Sequence, residues 1–391
     1  MVGRRIVDFA VRFARRDVDR AHRCAAAACL GGWLFLTLPA LAIPGPVAPA
    51  TPAAYTVARD VSPQATAENS QRKLVVDRHG RLALVFVRPL GGADRVFLAE
   101  SADRGRSWRS TAVSAASRPA RLPALHLFPD GALHLVWTDF GLKGRILYSV
   151  RRAGSWTAPL ALSAPGVYAG VPVVAPLRGL AHVLWYGIRP ERPQEATRHG
   201  TIYQILATRQ EGRVWVPPEV ISPGVPDSIN PALAADAAGR LHAAWFQFDG
   251  RVYQIRYTRF TGRWEVPRSI TAGDVDHTNV ALDADGAEVH LVWEERGPQH
   301  KIIYSLLGRP PRTLASGAVG GPVIAAASGR VTAAWSEGGV IMLRSIRPAA
   351  APLPVGLGTA PMLAMLGSTA YVAWTSPGRA PEVRFTAVPL P

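Results

Sequence analysis

The chain has 391 residues, 48% hydrophobic and 18% charged, with 36 glycines and 34 prolines. This excludes a disordered chain, a collagen-like repeat and a long coiled coil, and leaves ample length for a core. The formal charge is +16, but 41 of the 44 basic residues are arginine, so it reads more as compositional bias than as a sign of a polyanionic partner.

Residues 1–24 carry seven arginines against Asp8, Asp17 and Asp19, and hold Cys24; the second cysteine is Cys29. With both cysteines this early, a disulfide framework and a thiolate metal site are excluded from the body of the chain. Residues 25–43 are uncharged and as a helix would reach about 28 Å, close to the thickness of a hydrocarbon core. The arginine-rich flank is expected to stay cytoplasmic, which puts everything after Ile43 outside the cytoplasm. Ala40-Leu41-Ala42 fits the end of a cleaved signal peptide, whereas the long apolar run fits a retained membrane anchor; both readings stand. Residues 44–54 read as a stiff proline-rich linker.

From residue 55 onward the sequence repeats. GRLALVF (80–86), GALHLVW (131–137), GLAHVLW (179–185), GRLHAAW (239–245), AEVHLVW (287–293), GRVTAAW (329–335) and STAYVAW (368–374) align on Phe86, Trp137, Trp185, Trp245, Trp293, Trp335 and Trp374. Their mean spacing of about 48 residues is that of four-stranded propeller blades. Turns such as Asp77-Arg-His-Gly80 and Asp236-Ala-Ala-Gly239 precede the His/Trp strand, and alternating segments such as Ile146-Leu-Tyr148-Ser149 follow it. The expected fold is all-β: one propeller over 55–391 of about seven four-stranded blades, preceded by the hydrophobic signal or anchor helix. Six blades is the alternative, because the last two copies are short. The last copy stops after its third strand, so residues 55–62 are expected to close the ring beside 383–386.

Ser101-Ala-Asp103-Arg-Gly105-Arg-Ser-Trp108 fits S-x-D-x-G-x-x-W. On these residues the chain resembles the Asp-box (BNR-repeat) sialidase-like propellers. The resemblance covers most of 55–391 as a repeat pattern, with a single intact box. Thr208, Gln210, Gly212 and Trp215 keep the spacing with Gln in place of Asp, Ser149 to Trp156 keeps only the ends, and Thr258 to Trp264 is one residue short. The resemblance implies a structural turn between a blade's third and fourth strands, on the face opposite the binding funnel.

His134, His182, His242 and His290 recur three residues before their tryptophans. Equivalent positions on separate blades cannot converge on one ion, so no metal is expected, and the rings are expected to bond to nearby backbone. The residues after each tryptophan and those entering each first strand are polar and would line a funnel. The candidate ligand-binding set is Arg88, Asp139, Tyr186, Gln247, Asp249, Glu294, Glu337 and His277, with Tyr168, Arg118, Asp227 and Asn279 nearby. Mixed arginine, carboxylate, amide and tyrosine groups suit a hydroxylated, partly anionic ligand such as a glycan. Residues 186–200 form the longest insertion, a candidate lid. The weak catalytic candidates are Glu294, Glu295 and Asp139. Sialidase chemistry, as the resemblance implies it, needs an arginine cluster and a tyrosine nucleophile, yet the late tyrosine, Tyr371, falls inside a strand. Two functions follow: a non-catalytic exported or membrane-anchored propeller binding glycan or an extracytoplasmic protein, or an extracytoplasmic glycoside hydrolase of the sialidase superfamily. No cofactor motif is present, and the expected export and the lack of a basic run in the body argue against nucleic acid.

Overall fold

The first six copies of the repeat each fold as an antiparallel sheet of four strands, or five where the outer strand is split in blades 2 and 3, and with the seventh they make a seven-bladed β-propeller. The computed structural model describes residues 51–391 apart from 143, 190–195, 198–199 and 225–226. The expected basic segment, apolar run and most of the linker therefore lie outside the described residues. Among the described residues no helix is long and apolar enough to cross a membrane.

Blade 1 runs outward from the axis as Leu74–Val76, Leu82–Leu90, Ala93–Ser101 and Arg109–Ala112. The inner strands of blades 2 to 7 are Ala120–Leu127, Ala169–Leu177, Ser228–Ala235, Asp276–Asp285, Val319–Ala327 and Thr359–Leu366. The last copy supplies three strands, and Tyr55–Ala58 adds the fourth, pairing Tyr55 with Phe385 and Thr56 with Arg384. Strands alternate in direction, so second-to-third links and blade-to-blade links share one side of the ring, the loop face. First-to-second and third-to-fourth hairpins share the other, the turn face.

The repeated aromatics are the core of the blades. Phe86 and the six aligned tryptophans are each no more than 2% exposed. The repeat histidines correct the sequence expectation. Nδ1 of His134, His242 and His290 bonds to the hydroxyls of Tyr148, Tyr257 and Tyr304 at 2.7, 2.7 and 2.9 Å rather than to backbone. Each tyrosine lies on the third strand, two residues before the histidine's direct partner, where a diagonal neighbour on the same face is in reach. Blade 3 has Ala207 there, and His182 falls back on the Leu180 carbonyl at 3.4 Å. Burial pushes His134 and His182 down to about 4, so these rings are neutral at pH 7.

Hydroxyls extend the short outer strands. Ser114, Ser163, Ser222 and Thr271 accept the amides of Val96, Ile146, Ile205 and Ile255 at 2.9–3.0 Å. At the third-to-fourth turn of blade 1, Ser101 Oγ donates to Asp103 and accepts from the Gly105 amide, and Ser107 donates to both Asp103 oxygens. Those bonds, from Ser107 first, hold the Asp103 carboxyl well below its usual range. Gly105 is required here: its φ is +90°, and a Cβ would lie 1.9 Å from the Phe385 ring. At the corresponding turns of blades 2, 3 and 4 a hydroxyl has another partner, Ser149, Thr208 and Thr258 donating to the carbonyls of Thr157, Val216 and Glu265.

Candidate functional site

The axis is filled by the chain itself. The inner strands of blades 2 to 7 share a bulge at Leu122, Val171, Asn230, Asn279, Gly321 and Ala360, all with φ between +49° and +61°. In five of the six the next residue is proline, which donates no amide at this inner edge and so leaves the ladder intact. The link from Tyr55–Ala58 to Leu74–Val76 crosses the bulges. Gln71 donates to the carbonyls of Leu122 and Pro172 at 2.8 and 2.7 Å, and Asn69 to those of Asn279 and Pro322 at 2.7 Å each. Thr66 donates to Ala360 at 2.7 Å, and Glu68 accepts from Asn230 at 3.2 Å. Residues 66–71 thus touch all six other blades.

This plug carries two buried ionisable groups, Lys73 and Glu68. Lys73, 1% exposed, donates to Gln71 Oε1 at 2.9 Å. Burial pushes its amine down to about 7, with the Glu68 charge opposing the shift. Burial raises the Glu68 carboxyl, partly offset by Lys73 and Asn230.

Beside the plug, on blade 3, three half-buried tyrosines meet. Tyr168, Tyr186 and Tyr203 have ring centroids 5.3–5.8 Å apart, and the hydroxyls of Tyr168 and Tyr186 are 3.2 Å apart. Gly170 makes room for them, since a Cβ there would lie 2.5 Å from the Tyr168 hydroxyl. Burial is the main cause that raises all three, Tyr168 to about 12, so they stay protonated at neutral pH. The sequence had marked Tyr168 and Tyr186 on separate loops. Tyr203 it missed, because that residue follows the long insertion and sits outside the aligned motif. Within the insertion, residues 196–197 and 200–201 pair as a short ribbon, and the rest of the candidate lid from 190 to 199 lies outside the described residues.

The other candidates are spread around the ring and bound to their own chain. Glu294 is 4% exposed; Oε1 accepts from Asn279 at 2.9 Å and from the Gly321 amide at 2.7 Å, and Oε2 from Arg296 at 2.8 Å. Glu295 pairs with Lys301 at 2.6 Å, and Glu337 accepts the Trp335 indole N–H at 2.9 Å. Asp139 accepts the Gly141 amide at 2.8 Å and faces Arg118 at 3.6 Å. Asp249 accepts the amides of Arg251 and Val252; burial raises its pKa, but these bonds more than offset that and leave it lowered. Gln247 donates to Pro223 and Ser228, and buried His277 accepts the Trp293 indole N–H at 3.1 Å. Arg88 lies over the Phe97 ring at 5.7 Å. Tyr371 is 3% exposed within Thr369–Ser376 and stacks on Phe385. Among the described residues no cluster of three or more His, Cys, Asp or Glu could hold a metal ion.

No family model matches the chain, and no curated protein matches it. Solved structures do. An ulvan lyase, a polysaccharide lyase, is 9% identical over 85% of this chain and 95% of its own, with a TM-score of 0.58. An α-L-arabinofuranosidase from Fusarium graminearum is 10% identical over 87% and 98%, at 0.52. A puromycin-hydrolysing peptidase of Mycobacterium tuberculosis is 16% identical over 82% of this chain but 52% of its own, at 0.51. At these identities the likeness is one of fold, shared by a lyase, a glycosidase and a peptidase.

Proposed function

We propose that the chain is a glycan-binding propeller, exported or membrane-anchored through its N-terminal segment, that holds its ligand on the loop face at Tyr168, Tyr186 and Tyr203. The observation that carries this reading is the tyrosine cluster itself: three fixed, half-buried rings with protonated hydroxyls offer apolar surface and hydrogen-bond donors together, which is what a sugar ring needs. A binding role without catalysis is supported by the carboxylates. Most glycosidases use two carboxyl groups about 5–9 Å apart. Asp139, Glu294 and Glu337 stand on different blades, and each is bound to its own chain. The raised tyrosines also run opposite to what a nucleophile needs. A sialidase-like hydrolase is the alternative, and the likeness in fold to a polysaccharide lyase and an arabinofuranosidase supports carbohydrate as the ligand class in either reading.

The test is calorimetric titration of the detergent-solubilised full chain with neutral and acidic oligosaccharides, alongside product analysis. The expected result is binding without turnover, weakened about tenfold or more by Tyr186→Ala. Turnover that disappears in Glu294→Gln or Glu295→Gln would overturn the binding-only reading.

A further inference from the structure

We propose that the turn face of blade 1 carries a second binding site, for an acidic polysaccharide. A cavity of about 430 Å3 opens there, lined by Trp108, Arg81, Arg109, Glu100 and Ser107 among others, and its size is that of a small-molecule pocket. Trp108 is fixed in place: its indole N–H donates to the Gly105 carbonyl at 2.9 Å and its edge meets Phe385 at 5.1 Å between centroids. Part of the ring stays open to solvent.

The surroundings are strongly basic. Arg78 and Arg81 follow the Asp77 turn, and Arg104, Arg106 and Arg109 belong to the neighbouring one; all five are exposed. The two turns adjoin, because a Cβ on Gly80 would come within 3.2 Å of the Arg104 side chain. The nearby acids are already committed, Asp77 to Arg81, Glu100 to Arg151 and Asp103 to its serines. Arg104, Arg106 and Arg109 form no ion pair among the described residues; Arg109 lines the cleft, and Arg104 and Arg106 lie on the turn that leads into it.

That combination selects a ligand class. An indole plane packs on the C–H face of a pyranose. Unpaired arginines bind carboxylate or sulfate in a bidentate manner. The site lies on the face opposite the tyrosine cluster and stands or falls independently of it.

The experiment titrates the detergent-solubilised full chain with heparin, polygalacturonate, neutral dextran, duplex DNA and phosphatidylserine vesicles, at low and high salt. Heparin, polygalacturonate or both should bind, more weakly as salt rises, and dextran should not. Arg106→Glu/Arg109→Glu, at two exposed positions, should lower that affinity about tenfold or more while circular dichroism and melting stay native. Tyr186→Ala should leave it unchanged. The proposal is overturned if neither acidic glycan binds, if the double variant binds as well as the native chain, or if Tyr186→Ala alone removes binding. It is also overturned if DNA or vesicles bind as tightly with the same sensitivity. The heparin and polygalacturonate arms separate sulfate from carboxylate as the recognised group.

Discussion

Lys73 shows how one residue's surroundings set its charge. It is a full member of the axial plug, and its burial lowers the amine to about 7. Above that value the folded chain has released a proton that the unfolded chain keeps until near pH 10. Stability should therefore rise with pH between these limits, by up to about 1.4 kcal/mol per unit from this group. Melting temperatures of Lys73→Met and the native chain, compared at pH 7 and pH 9.5, should show the variant's relative stability falling as pH rises; parallel shifts would count against the assignment. Gly105 makes a different residue-scale prediction. Gly105→Ala introduces a Cβ at φ +90° in contact with Phe385, on the strand that bonds to Tyr55–Ala58. A loss of about 2 kcal/mol or more in chemical denaturation is expected, with the ring's closing blade disturbed.

At the scale of elements, the plug stands out from the strands it joins. Gln71 satisfies two carbonyls of two blades with one amide group. Gln71→Leu leaves both unpaired in a buried setting and should cost about 2–4 kcal/mol by denaturant unfolding, whereas Gln64→Ala, at an exposed position of the same segment, should cost almost nothing. The signal for the plug was present in the sequence as a polar run, Thr66 to Lys73, between two strand-like segments. Periodicity gives such a run no direction, so only closure of the ring shows that its amides face the axis. The His–Tyr bonds were legible only in part. Blades 2, 4 and 5 carry both residues, and blade 3 lacks the tyrosine and makes a longer bond to backbone. Sequence inspection had noticed the histidines as a column but not that the tyrosines rise and fall with them.

For the whole molecule, the first described strand is bound to the last, Tyr55–Ala58 to Glu382–Pro389. Removing residues 51–61 would expose the edge of blade 7 and detach the plug's anchor. Such a chain is expected to lose the single cooperative transition of the native ring and to aggregate, measured by melting and light scattering; an unchanged transition would mean that closure contributes little.

The propeller, its roughly four-stranded blades and their aromatic packing were determined by the sequence alone, because a repeated period of hydrophobic and turn residues states the same local instruction over and over; seven blades rather than six came from the structure. The tertiary structure decided what no single copy contains. It brought Tyr168, Tyr186 and Tyr203 together from segments that periodicity treats separately, and it set two arginine-bearing hairpin turns side by side. It also bound Glu294 and Asp139 to their own chain. These are contacts between separate strands and loops, set by how the strands of a blade pair and how neighbouring blades pack, which a repeating period does not state.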